Sequence, residues 1–212
     1  MEIKDKATQI VKKRYDRIAP IYDCAMRIIE RGHFNRWRSL LWNKVEGKEI
    51  LEVGVGTGLN FLYADAVNHN ITAIDLSHEM LKRARVRAAI AKLPVTFLEM
   101  DVQNLQFQDC MFDTVIGSFL FCSVPNPQLG LTEIKRVCKP GGKVVLLEHG
   151  LSENRVLAWF MNLANPLVVW VTGAEHINRR IEGNVVQSGL QLENVTKLDR
   201  TGIFKLVEAR RE

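Results

Sequence analysis

This 212-residue sequence predicts an α/β fold built on a doubly wound, mostly parallel sheet. Three observations lead there. Five short apolar runs alternate with helical periods between residues 48 and 148. Each run is rich in Val, Ile or Leu and bounded by Gly, Asp, Pro or polar residues, as strands buried on both faces require. A glycine-rich turn stands directly after the first run.

The five runs are 50–53, 71–74, 95–98, 114–116 and 144–147. Between them, 59–67, 78–92 and 129–137 carry helical periodicity. Strand–helix alternation of this kind implies right-handed crossovers with helices on both faces. Residues 3–17, 22–30 and 34–45 read as three helices, a lid over 1–47. The core spans 48–212 and carries an insertion at 152–179 with helical leanings. A helix near 180–188 follows, then runs at 192–198 and 204–209 that read as a closing hairpin. The total is seven strands, one antiparallel to the rest, in a single structural domain.

Composition supports one ordered core. The hydrophobic share is 47% and the charged share 25%, a globular rather than a disordered balance. The four cysteines, Cys24, Cys110, Cys122 and Cys138, form no C-x-x-C pair and no zinc-ligand spacing with histidine. They read as free thiols in a reducing, cytoplasmic compartment, and no metal centre is expected. The first fourteen residues are charged throughout and lack the apolar core of a signal peptide. The longest apolar stretch, 156–173, is interrupted by Asn162, Asn165 and Pro166 and reads as non-spanning. A net charge of +5 permits an anionic membrane surface or substrate without demanding either. No arginine-rich tract or stacking motif argues for nucleic acid. Oligomeric state is left open.

The glycine turn carries the chemistry. Glu52-Val-Gly54-Val-Gly56-Thr-Gly58 follows the first strand, and Leu59 opens the next helical segment. A dinucleotide fingerprint is G-x-G-x-x-G, and position 59 here is Leu. The pattern is E-x-G-x-G-x-G instead. An acidic strand tip repels a pyrophosphate and suits a cofactor ending in a zwitterionic amino acid with a sulfonium. Asp75 ends the second strand, where a carboxylate accepts from ribose hydroxyls. Asp101 follows the third, placing its side chain and the Val102 N–H for an adenine edge. Alone, each carboxylate is a helix cap or loop residue. Together they converge on one crevice at successive strand ends.

These residues resemble the class I S-adenosylmethionine-dependent methyltransferases, a Rossmann-like family. The matching pieces are E-V-G-V-G-T-G at 52–58, A-I-D-L-S at 73–77, F-D-T-V at 112–115 and K-P-G-G at 139–142, a loop before the fifth strand. The resemblance implies S-adenosylmethionine as cofactor and S-adenosylhomocysteine as product. It places Leu76 and Met80 in the adenosine pocket, Ser118 and Phe119 beside the methionine portion, and Asn60 among the cofactor-binding residues. The repeated Tyr-Asp pair in R-Y-D-R-I-A-P-I-Y-D at 14–23 is similar to the ubiquinone/menaquinone-biosynthesis methyltransferases and to bacterial phosphatidylethanolamine N-methyltransferases. G-T-G-L-N-F at 56–61, E-H-G at 148–150 and H-I-N-R at 176–179 resemble the phospholipid branch. That branch implies methylation of an aminophospholipid. The alternatives are C-methylation of a prenylated quinone, methylation of a small thiol or amine, and a non-catalytic cofactor sensor.

Methyl transfer is an in-line displacement from a sulfonium, so the protein mainly aligns nucleophile and methyl and excludes water. An amine nucleophile must be neutral when it attacks. Tyr15 and Tyr22 are candidates to hold it by hydroxyl contact and cation–π attraction. His149, directly after the fifth strand, is a candidate base or phosphate ligand. His176, Asn178, Arg179 and Arg180 form a polar cluster suited to a head-group phosphate. Trp37, Leu40, Leu41 and Val45 share a helical face with Arg31, Arg36, Arg38 and Lys44 nearby, a pattern seen at lipid interfaces. The insertion adds Trp159, Phe160, Leu163, Leu167, Val168, Val169 and Trp170, expected mostly buried beneath the lid. The two features favour a lipophilic acceptor and peripheral contact with the inner face of the cell membrane.

Overall fold

The structure is a computed structural model that describes residues 5–29, 33–65 and 68–212, with backbone only at 25–29. Expectations resting on Ile3, Glu30, Arg31 and Val67 fall outside the described residues. The strands are β1 (Glu49–Val53), β2 (Asn70–Asp75), β3 (Val95–Glu99), β4 (Phe112–Ser118), β5 (Cys138–His149), β6 (Gln191–Lys197) and β7 (Phe204–Arg210). They form one sheet in the order β3-β2-β1-β4-β5-β7-β6. All neighbours through β5 are parallel, and β7 runs antiparallel to both β5 and β6.

The continuous apolar runs are explained by this burial. In β1, Leu51 and Val53 face one cluster with Val115, Val144, Leu146 and the inner sides of α4 (Pro127–Val137) and α6 (Ile181–Gln187). Ile50 faces the other, with Ile116, Val145, Leu147, α2 (His33–Trp42) and α3 (His78–Ile90). Neighbouring side chains point to opposite faces, and both faces are covered, so no polar alternation survives.

Local chemistry sets the ends. Ser77 caps α3 by accepting from Met80 N, and Asn126 caps α4, with Pro127 opening it. Asp5 accepts from the backbone of Ala7 and Thr8 at the start of α1 (Lys6–Ile29). Asn154 caps α5 (Arg155–Thr172), and Gly173 closes it at φ 77°.

Four expectations change. First, the two helices read around Pro20 are one helix, α1. A proline disfavours helix in the residue before it, but the turns on both sides of Pro20 are fastened to the core by Asp16 and Asp23. Second, the helix expected over 59–67 is a single 3-10 turn, Leu59–Tyr63, ended by extended Ala64. Third, K-P-G-G lies within β5 rather than before it. Phe112 pairs with Cys138 and Thr114 with Lys143, so residues 139–142 loop out across a register shift. Fourth, the two apolar helices exchange roles. Trp37 and Leu41 of α2 are buried in the core, and Arg38 is buried with them. On α5 only Met161 is buried, while Trp159, Phe160, Leu163, Leu167 and Trp170 are exposed. Among the described residues no helix is long and apolar enough to cross a membrane.

Candidate active site

A cavity opens at the carboxyl ends of β1, β2 and β4, beneath α1. That is where open α/β sheets present ligand crevices. Its walls include Tyr15, Tyr22, Gly54, Gly56, Asp75, Leu76, Met80, Asp101, Val102, Ser118 and Phe119. The sequence-predicted cofactor residues meet here, with three exceptions. Glu52, Gly58 and Asn60 stand one layer behind the wall.

The glycines divide the work. Gly56 has φ +56°, and a Cβ there would meet nothing within 4 Å. It faces open space at the cavity, and its N–H donates to Asp75 Oδ2 at 2.8 Å. Gly58 has φ +79°, but a Cβ there would strike the Phe61 ring at 2.7 Å and Ala84 Cα at 3.2 Å. Gly58 therefore serves the packing of the turn on α3 rather than the cavity.

Asp75 closes the turn a second time by accepting from Ser77 N at 2.8 Å. Burial pushes its pKa up to about 6 against those two donors. Glu52 is buried, and Asn60 Nδ2 donates to its Oε1 at 2.7 Å. Asn60 Oδ1 accepts from buried Arg38 at 2.7 Å, and Ser118 Oγ lies within hydrogen-bond reach of both. Burial raises the Glu52 carboxyl to about 7, partly offset by Asn60 and by the Arg38 charge. Glu52 thus reaches the cavity only through Asn60 and Ser118. Its Oε2 is buried without a partner. Asp101 accepts from Gln103 N and from the Gln103 side-chain amide at 3.1 Å on each oxygen.

Helix α1 straps across the strand tips, and the repeated Tyr-Asp pair explains how. Tyr15 and Tyr22, seven residues apart, share the inner face and line the cavity. Each following aspartate anchors an edge of the crevice. Asp16 accepts from Ser77 Oγ at 2.6 Å, and Asp23 accepts from Thr57 Oγ1 at 2.7 Å. Lys12 adds bonds to the Leu76 carbonyl and to Glu99. Tyr15 Oη is 2.6 Å from Ser123 Oγ, and burial raises its pKa, so the phenol is neutral.

The far wall is Ser118 to Pro125. Phe119 sits at φ +53°, unusual for a residue with a side chain. Glu148 explains the bend: its buried Oε1 accepts from Leu120 N at 2.9 Å and Phe121 N at 3.1 Å. Burial raises Glu148 to about 7. A carboxyl with a folded pKa above its unfolded one is favoured by the fold in its protonated form. That stability is complete below the ordinary carboxyl value of 4.5 and drains away as pH climbs through about 7. Wild-type protein should therefore lose melting temperature between about pH 5 and pH 8. Glu148→Gln should flatten that slope in thermal denaturation, and an unchanged slope would remove Glu148 from the account.

The remaining candidates do not line the cavity. His149 packs edge-on to Phe204 with centroids 6.4 Å apart, and burial lowers its pKa, so it is neutral near pH 7. His176 donates its backbone N–H to Cys122 O, and Asn178 Nδ2 donates to Asn162 Oδ1. Arg180 is exposed at the start of α6. None of these three lines the cavity, and His176 and Asn178 are engaged with Cys122, Asn165 and Asn162. Arg179 differs. Its Nη2 donates to the carbonyl of cavity-lining Val124 at 3.0 Å, while its Nε is buried without a partner. Burial lowers its pKa, and no carboxylate among the described residues lies within ion-pair distance.

The sequence reading did not single out Arg38, Gln103, Ser123 or Glu148 for the site. Arg38 looked like a surface cation on an amphipathic helix, and Glu148 was quoted only within E-H-G. The two aspartates of the Tyr-Asp repeat were visible, and their spacing was the signal.

The donor set fits S-adenosylmethionine. Gly56 leaves room for backbone approach, Asp75 and Asp101 present carboxylates along one wall, and Met80 and Leu76 supply an apolar floor. The comparisons agree. A family profile described as a methyltransferase domain matches residues 51–146. The chain is 41% identical over 151 residues to a phosphatidylethanolamine N-methyltransferase of Cereibacter sphaeroides, covering 70% of this chain and 72% of that one. It is 30% identical over 220 residues to a demethylmenaquinone methyltransferase of Chlorobaculum tepidum, covering 97% and 88%. Several other demethylmenaquinone methyltransferases are spanned for less than two thirds of their own length. A crystal structure of an S-adenosylmethionine-dependent methyltransferase from Mesorhizobium loti superposes with TM-score 0.65 at 19% identity, over 86% of this chain and 99% of that one. Fold, crevice and sequence relatives converge: the chain belongs to the S-adenosylmethionine-dependent methyltransferases.

Proposed function

We propose that the chain methylates the amine of an aminophospholipid such as phosphatidylethanolamine, working at the inner face of the cell membrane. The observation that carries this reading is Arg179. A half-buried guanidinium with an orphaned Nε and no carboxylate partner, directly behind Val124, suits an anion. A phosphodiester beside an amine supplies one. The name of the Cereibacter sphaeroides relative points the same way.

Each site residue takes a role in this reading. Asp75 accepts from ribose hydroxyls on the lone pairs that Gly56 and Ser77 leave open. Asp101 and the Val102 N–H meet the adenine edge, between Leu76 and Met80. Ser118, backed by Asn60 and Glu52, meets the amino-acid end, with Gly56 allowing close approach, Gly54 making room for Leu120 and Gly58 holding the turn. The bound cofactor supplies an electrophilic methyl on sulfur. Tyr15 and Tyr22 orient the amine, and Phe119 shields the reacting atoms from water. The raised Tyr15 pKa makes it a positioning group rather than a base. His149 sits one layer back, behind Phe204, and takes no part in this account.

The second reading is C-methylation of a prenylated quinone. The Chlorobaculum tepidum relative favours it, as does the Phe119 ring at the cavity, backed by Phe34 and Phe204. Methyl-labelled cofactor incubated with phosphatidylethanolamine vesicles, or with demethylmenaquinone in parallel, separates the two. Label extracted into the organic phase as N-methylated phospholipid supports the first reading. Label found only in the quinone, or only in water, sinks it. Arg179→Ala should raise KM for the phospholipid roughly tenfold to 100-fold, the worth of a charge-assisted contact. An unchanged KM would remove the anion site.

A further inference from the structure

We propose that the outward face of α5 is the surface by which this protein docks on an anionic lipid bilayer. The inference deepens the phospholipid reading by naming the element that meets the substrate's membrane.

Helix α5 is amphipathic in the wrong direction for a soluble surface. Val156, Trp159, Phe160, Leu163, Leu167 and Trp170 are 55–80% exposed. Their spacing, i, i+3, i+4, i+7, i+11 and i+14, is one helical stripe. Half-buried Asn165 turns the other way, and exposed Asn162 lies beside the stripe. Asn165 Oδ1 accepts from Ile177 N at 3.0 Å, and Asn162 Oδ1 accepts from Asn178 at 2.9 Å. A surface helix normally buries its apolar stripe and exposes its amides. A contiguous exposed patch of this kind marks an interaction site.

The rim and the position favour a bilayer over a protein partner. Residues 156–172 contain no charged side chain. Exposed Arg155 opens the helix and Arg200 flanks Val156 and Phe160 across a groove, while the nearby Glu153 is paired with Lys197 and Lys205. Apolar bulk with tryptophan at both ends and a basic rim fits acyl chains beneath anionic head groups, in a chain whose net charge is +5. The helix is about 27 Å long, buries only Met161, and is tied to the 176–178 segment through Asn162 and Asn165. Its inner side connects to the far wall of the cavity through the 176–178 segment. The 176–178 segment that it holds donates from His176 N to Cys122 O, next to cavity-lining Ser123. A lipid surface on α5 would therefore bring head groups beside the far wall.

Vesicle sedimentation tests this without any catalytic step. The full chain is mixed with vesicles of phosphatidylcholine alone or with phosphatidylglycerol added. Binding should be strong only with the anionic lipid. The triple variant Trp159→Gln, Leu163→Gln, Trp170→Gln should lose more than tenfold in partitioning while keeping its circular dichroism and melting temperature. Tryptophan emission should shift to the blue on binding, since Trp159 and Trp170 are exposed whereas Trp37 and Trp42 are already buried. Wild-type protein left in the supernatant at every lipid concentration would overturn the proposal. So would equal binding by the triple variant, or a concentration-dependent dimer in light scattering that the variant abolishes, since that makes the face a contact between copies. Vesicle binding with no phospholipid methylated leaves the docking face standing and removes the substrate reading. Methylation of micellar phospholipid without vesicle binding does the reverse.

Discussion

Gly56→Leu lowers affinity for S-adenosylhomocysteine by at least about 100-fold while the protein stays folded. A Cβ at position 56 enters open space, so the fold does not resist it beyond the cost of a left-handed conformation, about 1–2 kcal/mol. The added side chain then stands where backbone must approach a ligand. Gly58→Leu makes the contrast. Its Cβ would collide with Phe61 and Ala84, so that variant loses melting temperature first. Calorimetric titration beside thermal denaturation reads both. Ordinary affinity in the Gly56 variant would show that the ligand lies elsewhere.

Arg38→Met destabilises the protein by about 3–5 kcal/mol, which lowers the melting temperature by on the order of 10 °C. Arg38 is buried, and its guanidinium is the cation of the Arg38–Asn60–Glu52–Ser118 network. Removing it leaves Glu52 buried without its compensating charge. The loss should be larger at pH 8 than at pH 6, because Glu52 titrates near 7 and its protonated form needs no cation. Glu52→Gln in the same chain should recover part of the loss. A double-mutant cycle with no coupling would mean that Arg38 stabilises the site by packing alone.

These two residues show what the sequence could disclose. The glycine turn was legible because its function is written in backbone, and a local motif states backbone needs directly. The strands were legible for a related reason: residues such as Ile50 and Leu51 are both apolar because opposite faces of the sheet are both covered. Asp75 and Asp101 were legible as strand-end carboxylates in the right order. Arg38 was not. Its period on α2 is that of a surface cation, and only the tertiary meeting with Asn60 makes it internal. The same limit reversed α2 and α5. Both carry Trp and Leu at helical spacing, and the pattern cannot say which stripe finds a partner. Trp37 and Leu41 found the sheet, whereas Trp159 and Trp170 found none among the described residues. The continuity of α1 through Pro20 was hidden for another reason. Proline is a local break signal, and the clamps that override it, Asp16 to Ser77 and Asp23 to Thr57, span 61 and 34 residues of sequence.

The account turns on the crevice beneath α1 holding an adenosyl sulfonium between the glycine turn and the strand-end acids. Isothermal titration of the wild-type chain with S-adenosylhomocysteine tests it most directly. One site per chain, with affinity in the micromolar range or tighter and weakened by Asp75→Asn, is the expected result. No heat of binding at millimolar ligand, from protein shown to be folded, would contradict it.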